Sequence, residues 1–167
     1  SAGTLVMGIC GGYQMLGTCI SDPDQVEAAG VTEIAGMGLL NMATVFRGDK
    51  VQTQTRGTFA GITGMLERLN GLAYEGYEIH MGRSQEKTPP VLGSGNVFGS
   101  YIHGIFDAPG ITDAILRAIC AGKGLDFEAL ESCDRTEYKQ RQYDILADAV
   151  RRGLDMELVY RILNREV

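Results

Sequence analysis

Long apolar runs are missing from this 167-residue chain. No stretch approaches the roughly 18 residues that a membrane-spanning helix needs, so no membrane partner is expected. Positive charge is short too: 15 Lys and Arg stand against 21 Asp and Glu, a net charge of −6. A phosphate backbone calls for a basic surface, so nucleic acid is not an expected partner. The four cysteines, Cys10, Cys19, Cys120 and Cys133, form no Cys-x-x-Cys pair. Neither His80 nor His103 stands near them in zinc-ligand spacing, so no metal is expected. The chain is long enough to bury a core without disulfide staples, which points to a reduced, cytoplasmic setting. No basic segment leads into a long apolar region, so export is not expected. Internal repeats and low-complexity tracts are lacking as well.

What remains is ordinary globular material, 44% apolar and 22% charged, of a size for one domain. Its most informative stretch is Gly8-Ile9-Cys10-Gly11-Gly12-Tyr13-Gln14-Met15-Leu16-Gly17. An apolar run, Thr4 to Met7, reads as the start of a buried strand before it, and Gly12 to Ile20 reads as a helix behind it. A cysteine at a glycine-hemmed strand-to-helix turn has the pattern of a nucleophile elbow, with Cys in place of Ser. The helix N-terminus favours thiolate over thiol. The Gly11 backbone N–H is placed to receive a developing oxyanion. A cysteine among apolar residues is more often inert packing, which is how Cys19, Cys120 and Cys133 are read.

Further along, Gly38 to Phe46 reads as a strand. Val51 to Arg56 is β-rich but polar on both faces, which suggests a separate edge strand. Tyr74 to Met81 and Asn96 to His103 complete the strand set, and Arg83 to Gly95 reads as an exposed loop. The last third is helical. Ile111, Ile115, Leu116 and Ile119 recur at helical spacing, with Gly122 as the stop. Tyr138 to Arg152 forms a second helix ended by Gly153, and Asp155 caps a third through Leu163.

Gly-x-Cys-x-Gly-x-Gln around Cys10 resembles the signature of class I glutamine amidotransferases. The fuller string resembles the glutaminase domain of the cobyric acid synthase family. So do Gly76-Tyr77-Glu78-Ile79-His80-Met81-Gly82, Tyr101-Ile102-His103-Gly104, and the tail Tyr143 to Asp148 with Leu154-Asp155-Met156. The resemblance implies an α/β, flavodoxin-like sheet with flanking helices. It implies glutamine hydrolysis through a cysteinyl thioester, with Cys10 as nucleophile, His103 as base and Gln14 binding substrate beside Gly11. It implies no cofactor in this domain, and as partner an ATP-dependent synthetase domain that amidates corrin carboxylates with the ammonia. Most class I glutaminases carry Glu two positions after the histidine, where this chain has Ile105. The third member is therefore Glu78, Asp107 or none, and Ile105 is expected to be core packing. His80 is either a structural residue or part of the pocket wall or of the domain interface.

Class I domains also begin with βα units ahead of the cysteine strand, and only nine residues precede Cys10 here. The expectation is therefore a C-terminal fragment, residues 1–167, that lacks its first βα units and self-associates along the sheet edge left open. Two other readings stay open: a non-catalytic interaction module, and the glutaminase subunit of an enzyme that amidates peptidoglycan precursors.

Overall fold

The computed structural model describes residues 3–27, 29–84, 89–129 and 135–166. Cys133 lies outside them, as do residues 85–88 of the expected loop. The chain divides into two compact units, Ser1–Ala129 and Leu130–Val167.

The first unit is a mixed α/β fold with two sheets and flanking helices. One sheet has the order β1-β7-β6, with β1 (Val6–Ile9), β7 (Val97–Ser100) and β6 (Leu92–Ser94). β1 and β7 are parallel, with Gly8 opposite Gly99 and Ile9 opposite Ser100. The other sheet has the order β3-β2-β4-β5, with β2 (Cys19–Ser21), β3 (Glu33–Ala35), β4 (Ala43–Thr58) and β5 (Ala73–Arg83). α1 (Gly11–Leu16) follows the cysteine, a 3-10 helix covers Gly64–Leu69, and α2 (Ile111–Lys123) follows the second histidine.

Several boundaries differ from those the sequence suggests. α1 stops at Leu16 and does not reach Ile20, because the Gly17 N–H closes back on the Gln14 carbonyl. The β-branched Thr18 and Ile20 then suit the strand that follows. Val51 to Arg56 is no separate strand. It is the second half of β4, which runs through Arg47-Gly48-Asp49-Lys50 with a register shift between Phe46 and Val51. Only β5 flanks that half, so its two-sided polarity reflects a free edge. The stretch read as a loop holds β6. Gly122 lies inside α2. Gly124, at φ 64°, ends the helix by donating to the Ala121 and Cys120 carbonyls, as a left-handed C-terminal residue does.

The core follows from the apolar periodicity. Phe98, Ile102, Ile105 and Ile111 pack with Phe59, Ile62, Leu66 and Leu69. Ile105 is 2% exposed, so it is core packing, as expected. Each such side chain contributes about 1.5–3 kcal/mol through burial. A second cluster joins Tyr13 and Leu16 of α1 to Leu40, Met42 and Tyr101. It clamps the helix behind the cysteine to the segment that carries His103.

The second unit is α3 (Arg135–Gly153) and α4 (Met156–Leu163). Asp155 caps α4, its carboxylate accepting from the Leu158 N–H at 3.0 Å. Asp155→Ala is expected to cost about 1 kcal/mol of local stability. Faster amide exchange at Leu158 reads it, and unchanged exchange would remove the cap from the account.

Candidate active site

β1 delivers Cys10 to the end of its sheet, and the chain turns there into α1. Cys10 sits at φ 52° and ψ −110°, a positive φ on a non-glycine residue. Such backbone strain persists only where the surroundings over-determine it. They do so here: the Cys10 N–H donates to the Ser100 carbonyl at 2.8 Å, and its carbonyl accepts from Gln14 at 3.1 Å. Gly8 is what lets the strand and helix approach so closely. A Cβ at Gly8 would lie 2.7 Å from the Gly12 backbone. Gly11 and Gly12 face open space instead, the side from which a reactant would come.

The thiol donates to the Ile79 carbonyl on β5 at 3.7 Å. Burial pushes the Cys10 thiol up from its ordinary range, and the Gly11 backbone N–H pulls it back less strongly. The expected thiolate-favouring helix terminus is thus outweighed by desolvation, since α1 is only 6 residues long. A raised pKa displaces thiolate formation to higher pH. Alkylation of Cys10 in the free protein is therefore expected to keep rising above about pH 8.5, the range of an ordinary cysteine. Peptide-resolved rates against pH measure this, and a midpoint below that range would contradict it.

His103 reaches the same strand by another route. Its N–H donates to the Tyr77 carbonyl at 2.8 Å, and its carbonyl accepts from the Tyr77 N–H at 3.1 Å. Gly76 permits this bridge, because a Cβ there would run into the His103 carbonyl. The imidazole stacks on Tyr77, with centroids 5.0 Å apart and planes 9° from parallel. Its Nε2 is buried and has no hydrogen-bond partner among the described residues. In a strand, residues two apart send their N–H and C=O to the same edge, about 7 Å along. Ile79 takes the thiol and Tyr77 takes His103, so one edge of β5 gathers both. No hydrogen bond joins Cys10 to His103 directly. Catalytic hydrogen bonds are often long before substrate arrives.

The two candidate carboxylates part company. Glu78 Oε2 lies 3.1 Å from His80 Nε2, whereas Asp107 lines one cleft with His103. Glu78 is committed to His80, not to His103. His80 Nδ1 lies 2.7 Å from the Gly82 carbonyl, and its ring stacks on Tyr101 at 3.8 Å. Tyr101 Oη continues to Ser84 Oγ at 2.5 Å, and Ser84 to Thr44 at 2.9 Å. His80 is buried and ties the strand holding the thiol to the segment holding His103. Gln14 is buried at 5% exposure, and its amide abuts Gly82.

Sequence reasoning singled out Cys10, Gly11, Gln14 and His103 and missed the Ile79 carbonyl, Tyr77 and Tyr101. A backbone acceptor has no sequence signal. The tyrosines sit within quoted motifs, where the histidines and Glu78 drew notice instead. Among the described residues no group of His, Cys, Asp and Glu could hold a metal ion. No helix among them is long and apolar enough to cross a membrane.

Known proteins align with this arrangement. The cobyric acid synthase of Lachnoclostridium phytofermentans is 44% identical over 192 residues, covering 100% of this chain and 37% of that protein. That of Ruminiclostridium cellulolyticum is 40% identical over 181 residues, covering 97% of this chain and 35% of that protein. That of Thermoanaerobacter sp. is 39% identical over 184 residues, covering 98% and 36%. The chain thus spans little more than a third of the length of these curated relatives. Residues 1–111 match a family description directly. Because that match takes in the elbow, all of β5 and the His103 segment, the chain belongs to the CobB/CobQ-like glutamine amidotransferase domain family.

Proposed function

We propose that residues 1–167 act as a glutaminase domain that supplies ammonia to an ATP-dependent synthetase domain. The observation that supports this best is the convergence of the Cys10 thiol and His103 on one edge of β5. In the proposed reaction His103 takes the thiol proton, and the Cys10 sulfur attacks the side-chain carbonyl carbon of glutamine. The carbonyl electrons move onto oxygen, where the Gly11 N–H meets the developing charge. Gln14, buried with its amide against Gly82, holds the substrate amide in this reading. The intermediate collapses, the C–N bond breaks, and His103 returns its proton to the leaving nitrogen as ammonia departs. A water molecule, deprotonated by His103, then cleaves the thioester to release glutamate and restore the thiol.

The relatives are cobyric acid synthases, which supports a role in cobalamin biosynthesis; in this reading the acceptor is a set of corrin carboxylates and the setting is the cytoplasm. Desolvation of the Cys10 thiol suits this division of labour, since a raised pKa keeps it protonated until the base and substrate are both in place. The test is glutamine turnover by the full-length enzyme, with ammonia and glutamate measured together. Glutamate equal to free ammonia plus the corrin amide formed, and corrin amidation that needs ATP, are expected. Corrin amidation that never draws on glutamine would defeat the reading.

A further inference from the structure

After β3 the chain runs Gly36-Met37-Gly38-Leu39 over the surface. Connections of this kind are normally polar, yet Met37 and Leu39 are both more than half exposed. The segment is firmly held all the same. The backbone N–H groups of Gly36, Met37, Gly38 and Leu39 donate to the carbonyls of Thr18, Met15, Gly17 and Leu16 at 2.8–2.9 Å. A Cβ at Gly36 would run into the Gly17 carbonyl, so only glycine lets the segment lie this close. These bonds fix Met37 and Leu39 against the end of α1, where Met15 is half-exposed too. Met15 shares a face of α1 with Gly11, four residues before it, and Tyr13, Gln14 and Leu16 are the buried residues of that helix. The patch therefore borders the open side at Gly11 and Gly12. We propose that Met15, Met37 and Leu39 form the surface on which the synthetase portion of the full-length enzyme docks.

Apolar side chains held in the open mark contact surfaces, and methionine adapts readily to a facing surface. The choice of partner follows from size and position. Most of the length of the curated relatives lies outside the region this chain matches. A partner on the same polypeptide is met at an effective concentration of about millimolar, so a small patch is enough. A second copy needs about 800 Å² on each side, more than these few side chains offer. A partner seated here also stands beside the opening at which ammonia is released. It would receive ammonia ahead of bulk water, where protonation removes its nucleophilicity.

This surface rests on the glutaminase reading, and the experiments keep the two apart. In the full-length enzyme, oxidation of each methionine by dilute peroxide is followed by peptide mapping. Met15 and Met37 are expected to react as slowly as the buried Met42. Oxidation of both several-fold faster than Met42 would show an open patch and overturn the proposal. Protection lost on dilution, as a dimer dissociates, would assign the patch to a second copy and overturn it as well. The second measurement uses Met37→Glu combined with Leu39→Glu. Both side chains are exposed, so the fold should tolerate two charges that the contact cannot. Glutamate formed per corrin amide should rise several-fold above the wild-type ratio, with amidation from added ammonia unchanged. Continued glutamine turnover shows that the glutaminase is folded, and Met37→Leu should keep the wild-type ratio. An unchanged ratio in the doubly charged variant would overturn the docking surface, even with both methionines protected. Wild-type glutamine-dependent amidation by a Cys10→Ala control would instead overturn the reading beneath it.

Discussion

Cys10→Ala is expected to abolish glutamine-dependent amidation by the full-length enzyme and to leave amidation from added ammonia at the wild-type rate. The sulfur is the group that would form the thioester, and nothing else on the β5 edge replaces it. In the proposed reaction His103 only moves protons. Loss of a covalent nucleophile typically removes nearly all of the acceleration, several orders of magnitude in kcat. The fold should survive. Cys10 is only half-buried, and its thiol makes one long hydrogen bond. Relief of a strained positive φ is not available to Ala, so stability should change little. Parallel assays with glutamine and with ammonium salt decide the matter. Equal loss with both nitrogen sources would mean that Cys10 serves the fold or the synthetase half.

The second large effect is expected at His103. His103→Ala should lower glutamine-dependent kcat by about 10²–10⁴, the usual worth of a positioned acid–base group. Again the ammonia-dependent rate should hold. A buried ring nitrogen without a partner costs about 1–3 kcal/mol, so a purely structural histidine would be a poor choice at this position. The backbone pairing with Tyr77 does not involve the side chain, and the bridge to β5 should persist in the variant. Cys10 should therefore still be alkylated in His103→Ala. A variant that turns over glutamine normally would overturn the base assignment, and His80 would not take it over. Its Nε2 faces Glu78 and its Nδ1 faces a carbonyl, so it has no free nitrogen for that task.

Much of this was legible in the sequence, for identifiable reasons. A Cys between glycines after an apolar run can be little else than a strand-to-helix turn, and the structure places Cys10 at one. Regular apolar spacing gave α2, and the acidic residue ahead of Leu158 gave the Asp155 cap. The weak points were short-range. β2 and β3 have 3 residues each, too few for a two-residue period to be seen. Arg47-Gly48-Asp49-Lys50 has turn composition and has no β5 partner in the register, yet pairing with β5 resumes at Val51, aided by the Arg83 ion pair with Asp49. α1 looked longer because Met15 and Leu16 continue an apolar pattern that Gly17 then cuts.

The site divides in the same way. Reactive side chains announce themselves by type, so the sequence could nominate Cys10, His103 and Gln14 as candidates. Which carboxylate sits near which histidine was not. Glu78 and His80 are two apart on one strand and therefore share a face, which sends Glu78 away from His103. That geometry needs only the knowledge that β5 runs unbroken through both. Asp107 joins His103 in its cleft through the turn at Gly104, where the Asp107 N–H donates to the Gly104 carbonyl at 2.8 Å. A contact made by a loop has no periodic signature.

The central claim is that Cys10 attacks glutamine. The most direct measurement is peptide mapping after the full-length enzyme is treated with a glutamine-mimicking electrophile, with and without excess glutamine. The account predicts modification at Cys10 alone, prevented by glutamine. Modification of Cys19, Cys120 or Cys133 with Cys10 untouched would contradict it.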